Sequence, residues 1–273
     1  MQQKARDTIP VSQLEEESKQ TLTALSSEDN GSGSGPSLDI RDCLVLALLK
    51  WFKTSFFKWM DAPACKSCSG KTRFKGNGEA TAEDLRYGGN RVELYECTVC
   101  GRPTRFVRYN DPGKLLETRE GRCGEWANCF TLCCRALGYE ARYVLDWTDH
   151  VWTEVFSRTQ QRWVHCDPCE NACDKPLLYE VGWGKKLTYV IAFSIDDIED
   201  VTWRYSADYQ GVLSRRTECR EGWLVKTLYN MDKGKWSAMP EAKKTVRLRR
   251  KLVELVDFLT PKKADKQNLS GAY

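Results

Sequence analysis

From Ile40 onward, apolar residues fall at helical spacing: Leu44, Leu48, Phe52 and Phe56 follow at intervals of four, down to Trp59. Their neighbours are apolar as well, so the pattern predicts a helix buried on most of its faces. Val11 to Leu25 has a helical but mainly polar pattern, and Ser26 to Pro36 has the Gly- and Ser-rich composition of a flexible linker. Residues 1–38 are therefore expected at the periphery, with residues 39–273 forming the body of the fold. A second helix should run from Cys123 to Leu137 and stop at Gly138. Strands are predicted over Asp149 to Val155, Arg162 to Cys166, Leu187 to Phe193 and Ile198 to Thr202. A last helix, within residues 240–260, opens at Pro240 and ends before Pro261. Its apolar stripe is Leu248, Leu252, Leu255, Val256 and Leu259, and Lys243, Lys244, Arg247, Arg249, Arg250 and Lys251 make the rest basic. Such a stripe most simply packs on the chain's own core, while so dense a basic face also suits a docking helix. No internal repeat is visible.

Ser157 to Gln161 join the first two strands as a hairpin. With the turn centred between Arg158 and Thr159, residues whose numbers sum to 317 face each other, and His150 meets Asp167. The turn has no Asn-Gly or Asp-Gly signal, which leaves the register open to a one-residue slip. Cys123 stands in the first turn of its helix, where unpaired N–H groups and the positive end of the dipole favour a thiolate. Thiolate, imidazole and carboxylate in this order supply the nucleophile, proton shuttle and orienting group of acyl chemistry. Singly, each residue has a plainer reading: a small buried thiol, a satisfied polar group, a turn-starting Asp-Pro. Together, with one of only two histidines at the hairpin position, they favour the triad.

Cys65-x-x-Cys68 and Cys97-x-x-Cys100 are two knuckles with 28 residues between them. Each brings two sulfurs to one ion, and the pair completes a tetrahedral four-cysteine zinc shell with no open position, hence a structural one. Residues 62–109 are thus expected as a metal-stapled subdomain. Cys166, Cys169 and Cys173, with His165, form a rival cluster. They read better as free thiols, because ligation by Cys166 would displace Asp167. Cys129, Cys133 and Cys134 should pack in the core.

The chain of 273 residues is 41% hydrophobic, enough for a substantial core, and its 10 tryptophans suggest aromatic surfaces or a lined cleft. A net charge of +4 gives no concentrated basic face of the kind nucleic acid requires. No apolar run reaches the length of a membrane span, and no signal-peptide pattern opens the chain. Thirteen cysteines, an odd number arranged partly in knuckles, fit a reducing cytoplasm better than a disulfide framework. The glycosylation patterns at Asn30 and Asn268 would then stay unmodified.

Gly121-Arg122-Cys123-Gly124-Glu125-Trp126-Ala127, Asp149-His150-Val151-Trp152-Thr153-Glu154 and His165-Cys166-Asp167-Pro168-Cys169-Glu170, after the paired knuckles, resemble the transglutaminase-like superfamily. Within it they are similar to cytoplasmic peptide:N-glycanase of the animal type, over roughly Trp51 to Tyr205. The resemblance implies an α+β, papain-like cysteine-hydrolase core with an inserted zinc-binding subdomain. It implies an amidase that removes N-glycans from misfolded glycoproteins in endoplasmic-reticulum-associated degradation, converting asparagine to aspartate. It further implies that Glu170 and Trp152 contact substrate and that Trp59 lies beside the nucleophile, its indole N–H donating to the oxyanion. From sequence alone Trp59 is equally a core aromatic. The implied partner is a proteasome-linked ubiquitin-receptor shuttle protein, bound through a small helical domain also known for binding a DNA-repair factor. Full-length animal members add an adaptor domain and a sugar-binding domain, neither expected within these residues. The same triad would serve a transglutaminase, although no acidic EF-hand-like loop for calcium is present, or a cysteine peptidase. A non-catalytic adaptor would have no physical reason to keep all three residues.

Overall fold

The computed structural model describes residues 1–28 and 38–262. Most of the expected linker and both glycosylation patterns lie outside the described residues. The frame is a six-stranded antiparallel sheet in the order β11-β10-β6-β7-β8-β9. Its strands are β6 (Ala141–Asp146), β7 (His150–Ser157), β8 (Arg162–Asp167), β9 (Ala172–Cys173), β10 (Val190–Phe193) and β11 (Ile198–Asp200). Alternation along β7 sends Thr153 and Val155 to one face and His150, Trp152 and Glu154 to the other. The first face packs on helix α6 (Cys123–Ala136), where Thr131 and Thr153 hydroxyls meet at 2.8 Å. The second face carries a separate core around Trp152, Tyr179, Val190 and Tyr205.

The apolar stretch from Ile40 divides into more than one element. Helix α3 (Ile40–Trp51) is capped by Asp39, continues as a wide turn over Phe52–Phe56, and gives way to strand β1 (Lys58–Trp59). Phe52 stacks on Phe57 at 5.2 Å and meets Trp126 and Phe130 of α6 edge-on at 5.6 and 5.3 Å. The loosened turn lets several aromatics enter one core, which a straight helix would spread around its axis. Strand β1 pairs in parallel with β5 (Glu120–Gly121), which follows helix α5 (Pro112–Thr118) and leads directly into α6. Between β1 and α5 lies a three-stranded ribbon: β2 (Thr72–Gly78), helix α4 (Ala82–Arg86), β3 (Arg91–Cys97) and β4 (Pro103–Arg108).

The N-terminal residues belong to the main core. Helices α1 (Gln2–Thr8) and α2 (Val11–Glu28) pack on α6 and α3, and Ala5, Ile9 and Leu14 are buried. So few apolar positions in a polar stretch look peripheral by pattern, yet they are spaced to meet one groove.

The hairpin register differs from the sequence expectation by two residues. Thr153 faces Cys166 and Glu154 faces His165, a sum of 319, because residues 158–161 form the turn with Gln161 in the left-handed region at φ 52°. A shift of two keeps every side chain on its face. His150 and Asp167 become diagonal rather than direct neighbours, still within reach.

At the C-terminus, α7 (Tyr209–Arg215) and α8 (Glu221–Ser237) precede α9 (Glu241–Leu259), with Pro240 at its N-cap. The expected packing of the α9 stripe is reversed. Arg247, Glu254 and Phe258 are buried, while Leu248, Leu252, Leu255, Val256 and Leu259 are at least half exposed. The inward charges meet acids of the same chain: Arg247 pairs with Asp232 at 2.9 Å, Arg250 with Glu140 at 2.6 Å and Lys251 with Glu199 at 2.5 Å. Glu254 in turn accepts from Arg142 and Arg204. Ion pairing with the sheet therefore decides which face of α9 turns inward.

Candidate active site

Helix α6 begins where Gly121 lets the chain turn tightly. A Cβ at Gly121 would stand 2.4 Å from the Glu125 Cβ, so only glycine fits. Glu125 accepts the Arg122 backbone N–H at 2.9 Å, a one-sided cap from the third helical position that fixes the first turn and leaves Cys123 at its first position. Cys123 is partly exposed.

His150 Nε2 bonds Asp167 Oδ2 at 2.8 Å, and the Cys123 side chain lies within hydrogen-bonding reach of the same imidazole. With Nε2 taken by the carboxylate, Nδ1 is the atom left for sulfur. The three sequence-chosen residues thus come together from α6, β7 and β8. Asp167 is fully buried and its oxygens are saturated. Oδ1 accepts the N–H groups of Cys169 (2.8 Å) and Glu170 (3.3 Å), and Oδ2 accepts from Tyr179 at 2.8 Å besides His150. Burial alone would raise its pKa, but the hydrogen bond and charge of His150 hold it below the usual value. Burial of His150 opposes its charge too. That burial is the largest single effect, but the Asp167 hydrogen bond, contact with Cys123 and the Asp167 charge together outweigh it and bring the imidazole pKa up to about 9.

Two participants had no sequence signal. Tyr179 sits in an ordinary Leu-Leu-Tyr-Glu run, and its hydroxyl lies between Asp167 and His165 Nε2, 2.7 Å from the latter. His165 Nδ1 accepts the Lys175 N–H at 3.3 Å, so Nε2 carries the proton and donates to Tyr179, whose own proton goes to Asp167. Burial lowers the His165 pKa to about 4, which keeps it neutral as this relay requires. Trp183, 42% exposed, meets the His150 ring edge-on at 5.0 Å and forms one wall of the site.

The expected substrate contacts fare differently. Glu170 is partly exposed directly after the Asp167 turn. Trp59 is exposed and lies 6.4 Å from the ring of Trp126, but its indole N–H is given to Asp61 at 2.8 Å, not held free for an oxyanion. Trp152 is fully buried beneath the site. It stacks on Tyr179 at 4.2 Å and donates to the Tyr205 hydroxyl at 2.7 Å, so it supports Tyr179 and cannot touch substrate.

Some distance along the chain, Cys65, Cys68, Cys97 and Cys100 place their sulfurs within 4.8 Å of one another, and the cluster can hold a metal ion. Neighbouring sulfurs lie 3.4 to 3.6 Å apart. A tetrahedral shell with metal–sulfur bonds of about 2.3 Å needs edges of about 3.8 Å, a fit within a few tenths of an ångström. Backbone N–H groups of Ser67, Val99 and Cys100 point at these sulfurs, as they do in ligated knuckles. Among the described residues, His165 and Cys166 belong to no such group.

The chain is similar to several known proteins. A family model described as the transglutaminase-like superfamily matches residues 75–168, and one described as the Rad4 transglutaminase-like domain matches residues 147–254. A Gallus gallus protein named peptide-N(4)-(N-acetyl-beta-glucosaminyl)asparagine amidase is 54% identical over 96% of this chain and 40% of its own length. Proteins of the same name from Homo sapiens (50% identical; 99% of this chain, 41% of that one) and Arabidopsis thaliana (53%; 82% and 30%) also match. The chain thus spans about two fifths or less of the length of these relatives. A crystal structure of Rad4-Rad23 bound to a 6-4 photoproduct UV lesion aligns with 96% of this chain and 54% of its own, at 15% identity and a TM-score of 0.47.

Proposed function

The chain belongs to the transglutaminase-like superfamily, in its peptide:N-glycanase branch, and from that membership we propose that it hydrolyses the amide between an asparagine side chain and the first N-acetylglucosamine of an N-glycan. The observation that carries this reading is the 2.8 Å His150–Asp167 bond beside a sulfur at the start of α6. Cys123 sulfur attacks the amide carbonyl carbon, and orphan N–H groups of the first helical turn are the donors at hand for the oxyanion. As the tetrahedral centre collapses, the carbon–nitrogen bond breaks and His150 gives its proton to the departing glycosylamine. The resulting thioester is attacked by a water whose proton His150 now accepts, releasing aspartate and restoring the sulfur. Asp167, fixed by its four donors, keeps the imidazole aimed through both steps. Glu170 and the exposed faces of Trp59 and Trp183 line the approach, as partners for a sugar ring. The test is a glycopeptide incubated in isotopically heavy water. One heavy oxygen in a new aspartate supports the reading, and cleavage of the peptide backbone or transfer to lysine overturns it.

The pH dependence follows from His150. Its folded pKa is raised above the unfolded value, so the imidazolium and the stability it confers are present below about 6.5 and lost as pH rises through about 9. Leaving-group protonation is lost over the same window. Single-turnover release of glycan should therefore hold steady through neutral pH and fall near pH 9. A fall centred near 6.5 would mean that Asp167 does not raise the imidazole pKa in solution. His165 acts with the opposite sign: it gains a proton only on unfolding, so stability drops as pH falls from about 6.5 towards about 4.

Zinc is the ion we assign to the four cysteines, on the chemistry of four thiolates in a closed tetrahedral shell. Thirteen cysteines with no disulfide among them suit a reducing cytoplasm, and no described helix is long and apolar enough to cross a membrane. Misfolded N-glycoproteins in endoplasmic-reticulum-associated degradation are the proposed substrates. Since the site is recessed between α6 and the hairpin, denatured glycoprotein should be processed well ahead of the native form.

For the shuttle-type partner, the exposed stripe of α9 is the surface we assign, in place of its basic face. Arg247 and Arg250 are spent on Asp232 and Glu140, so reversing their charge would damage the fold and report nothing about docking. Leu252→Glu with Val256→Glu should instead weaken binding about 100-fold or more, the loss expected for two anchors of an apolar interface. Cleavage of a small glycopeptide should not change. Calorimetry that finds unaltered affinity in the double variant places the contact elsewhere, with the exposed face of α2 next, since Leu14 itself is buried in the core.

A further inference from the structure

The side chain of residue 122, immediately before the nucleophile, reaches away from its own helix to the ribbon and to the segment that leads into it. Arg122 forks onto Glu93 of β3, Nη1 to Oε1 at 2.9 Å and Nη2 to Oε2 at 2.8 Å. The same guanidinium donates to the Tyr95 hydroxyl (3.1 Å) and to the carbonyls of Met60 (3.0 Å) and Asp61 (3.2 Å). Residue 125 is gripped in the same way. Arg108 of β4 forks onto Glu125 at 2.5 and 2.8 Å and also reaches Glu93 at 3.2 Å. Both flanks of Cys123 are therefore clamped by one sheet, through buried carboxylates in paired hydrogen bonds of the strong, direction-fixing kind.

Glu93, Tyr95 and Cys97 alternate along β3 and share a face, and all three are buried. A slip of one residue in this strand would turn Glu93 away from Arg122. Pairing with β2 through the bulge at residues 74–76 and with β4 at Glu93–Phe106 fixes that register.

We propose that Glu93 is a positioning residue for Cys123, acting through Arg122, and that the ribbon therefore sets the nucleophile's aim as well as its own fold. The inference rests on the amidase reading only in taking Cys123 as the reacting group. Glu93→Gln keeps the shape and loses the charge that draws the fork together. Its expected effect is a kcat lower by about 10- to 100-fold with little change in KM, the range for a reacting group misplaced by about an ångström. Alkylation of Cys123 by iodoacetamide at neutral pH, which needs no glycan, should slow as well. Metal content and melting temperature, read on the same samples, should stay near the parent values.

The variant pair Glu93→Gln and Arg122→Gln should be coupled, the double variant losing no more than either single, because both break one fork. Should Glu93→Gln fail to fold, Glu93→Asp keeps the charge one methylene shorter and is expected to lose less activity in the same pattern. A folded Glu93 variant with parental kcat and alkylation rate overturns the proposal. So does a loss that follows metal content and melting temperature alone. If the parent itself leaves glycopeptide intact, the amidase reading falls, and alkylation still decides the role of Glu93.

Discussion

Cys123→Ala is expected to reduce glycopeptide turnover by about 10⁴-fold or more, because removing the nucleophile of a triad leaves only binding and oxyanion contacts. The fold should not notice. Cys123 is partly exposed at the first position of α6, and the turn that presents it is held by Gly121, Glu125 and Arg122. Melting temperature should therefore stay within about 2 °C of the parent, as for a substitution of well under 1 kcal/mol. His150→Ala should be nearly as damaging to turnover. Asp167→Asn should keep a larger residual rate, since that group orients and does not react, and Tyr179 and two backbone amides remain to hold the turn. Initial rates on a denatured glycopeptide, with melting curves beside them, check all three. Near-normal turnover in Cys123→Ala would end the triad argument.

The residues of the candidate site were legible because each carries rare chemistry in a readable local setting. Two histidines in the chain, a helix opening on Gly-Arg-Cys and an Asp-Pro turn left few alternatives for where such groups could meet. The hairpin register was not legible, because Ser157 to Gln161 hold no residue that demands a left-handed conformation, and Gln161 adopts one regardless. The two-residue error was harmless because strand faces repeat every two residues. Tyr179 and the tautomer of His165 could not be read at all, since they depend on a long-range meeting of β8 with the loop after β9. For α9 the pattern pointed the wrong way. Hydrophobic periodicity assumes that apolar residues set the inward face, whereas here Arg142 and Arg204, buried against Glu154, draw Glu254 inward. The N-terminal helices show the converse, a few well-placed apolar residues in polar company. The paired knuckles were the most local signal of all, and the four sulfurs converge as their spacing implied.

Removing metal from the four-cysteine cluster should cost more than the cluster's size suggests. The ribbon buries few large side chains of its own, chiefly Val92, Tyr95 and Phe106, and its first strand carries a bulge. Cross-linking of Cys65 and Cys68 to Cys97 and Cys100 through the ion closes the loop that leads into β2 against the turn between β3 and β4. Structural zinc contributes about 10 to 16 kcal/mol to folding in small zinc-binding units, far above what this ribbon's core supplies. Without the ion, four sulfurs within 4.8 Å of one another repel whenever two are ionised. A strong chelator should lower the melting temperature by about 10 °C or more, the shift that follows from losing several kcal/mol in a chain of this length. Zinc added back should restore it. Cys97→Ser should do the same irreversibly, and harder than Cys100→Ser, because Cys97 is the buried end of β3 while Cys100 is exposed beyond the turn. Thermal melts monitored by circular dichroism, paired with metal analysis, read the effect without reference to catalysis. Metal-free protein that melts where the parent does would show that the four cysteines are not a structural site.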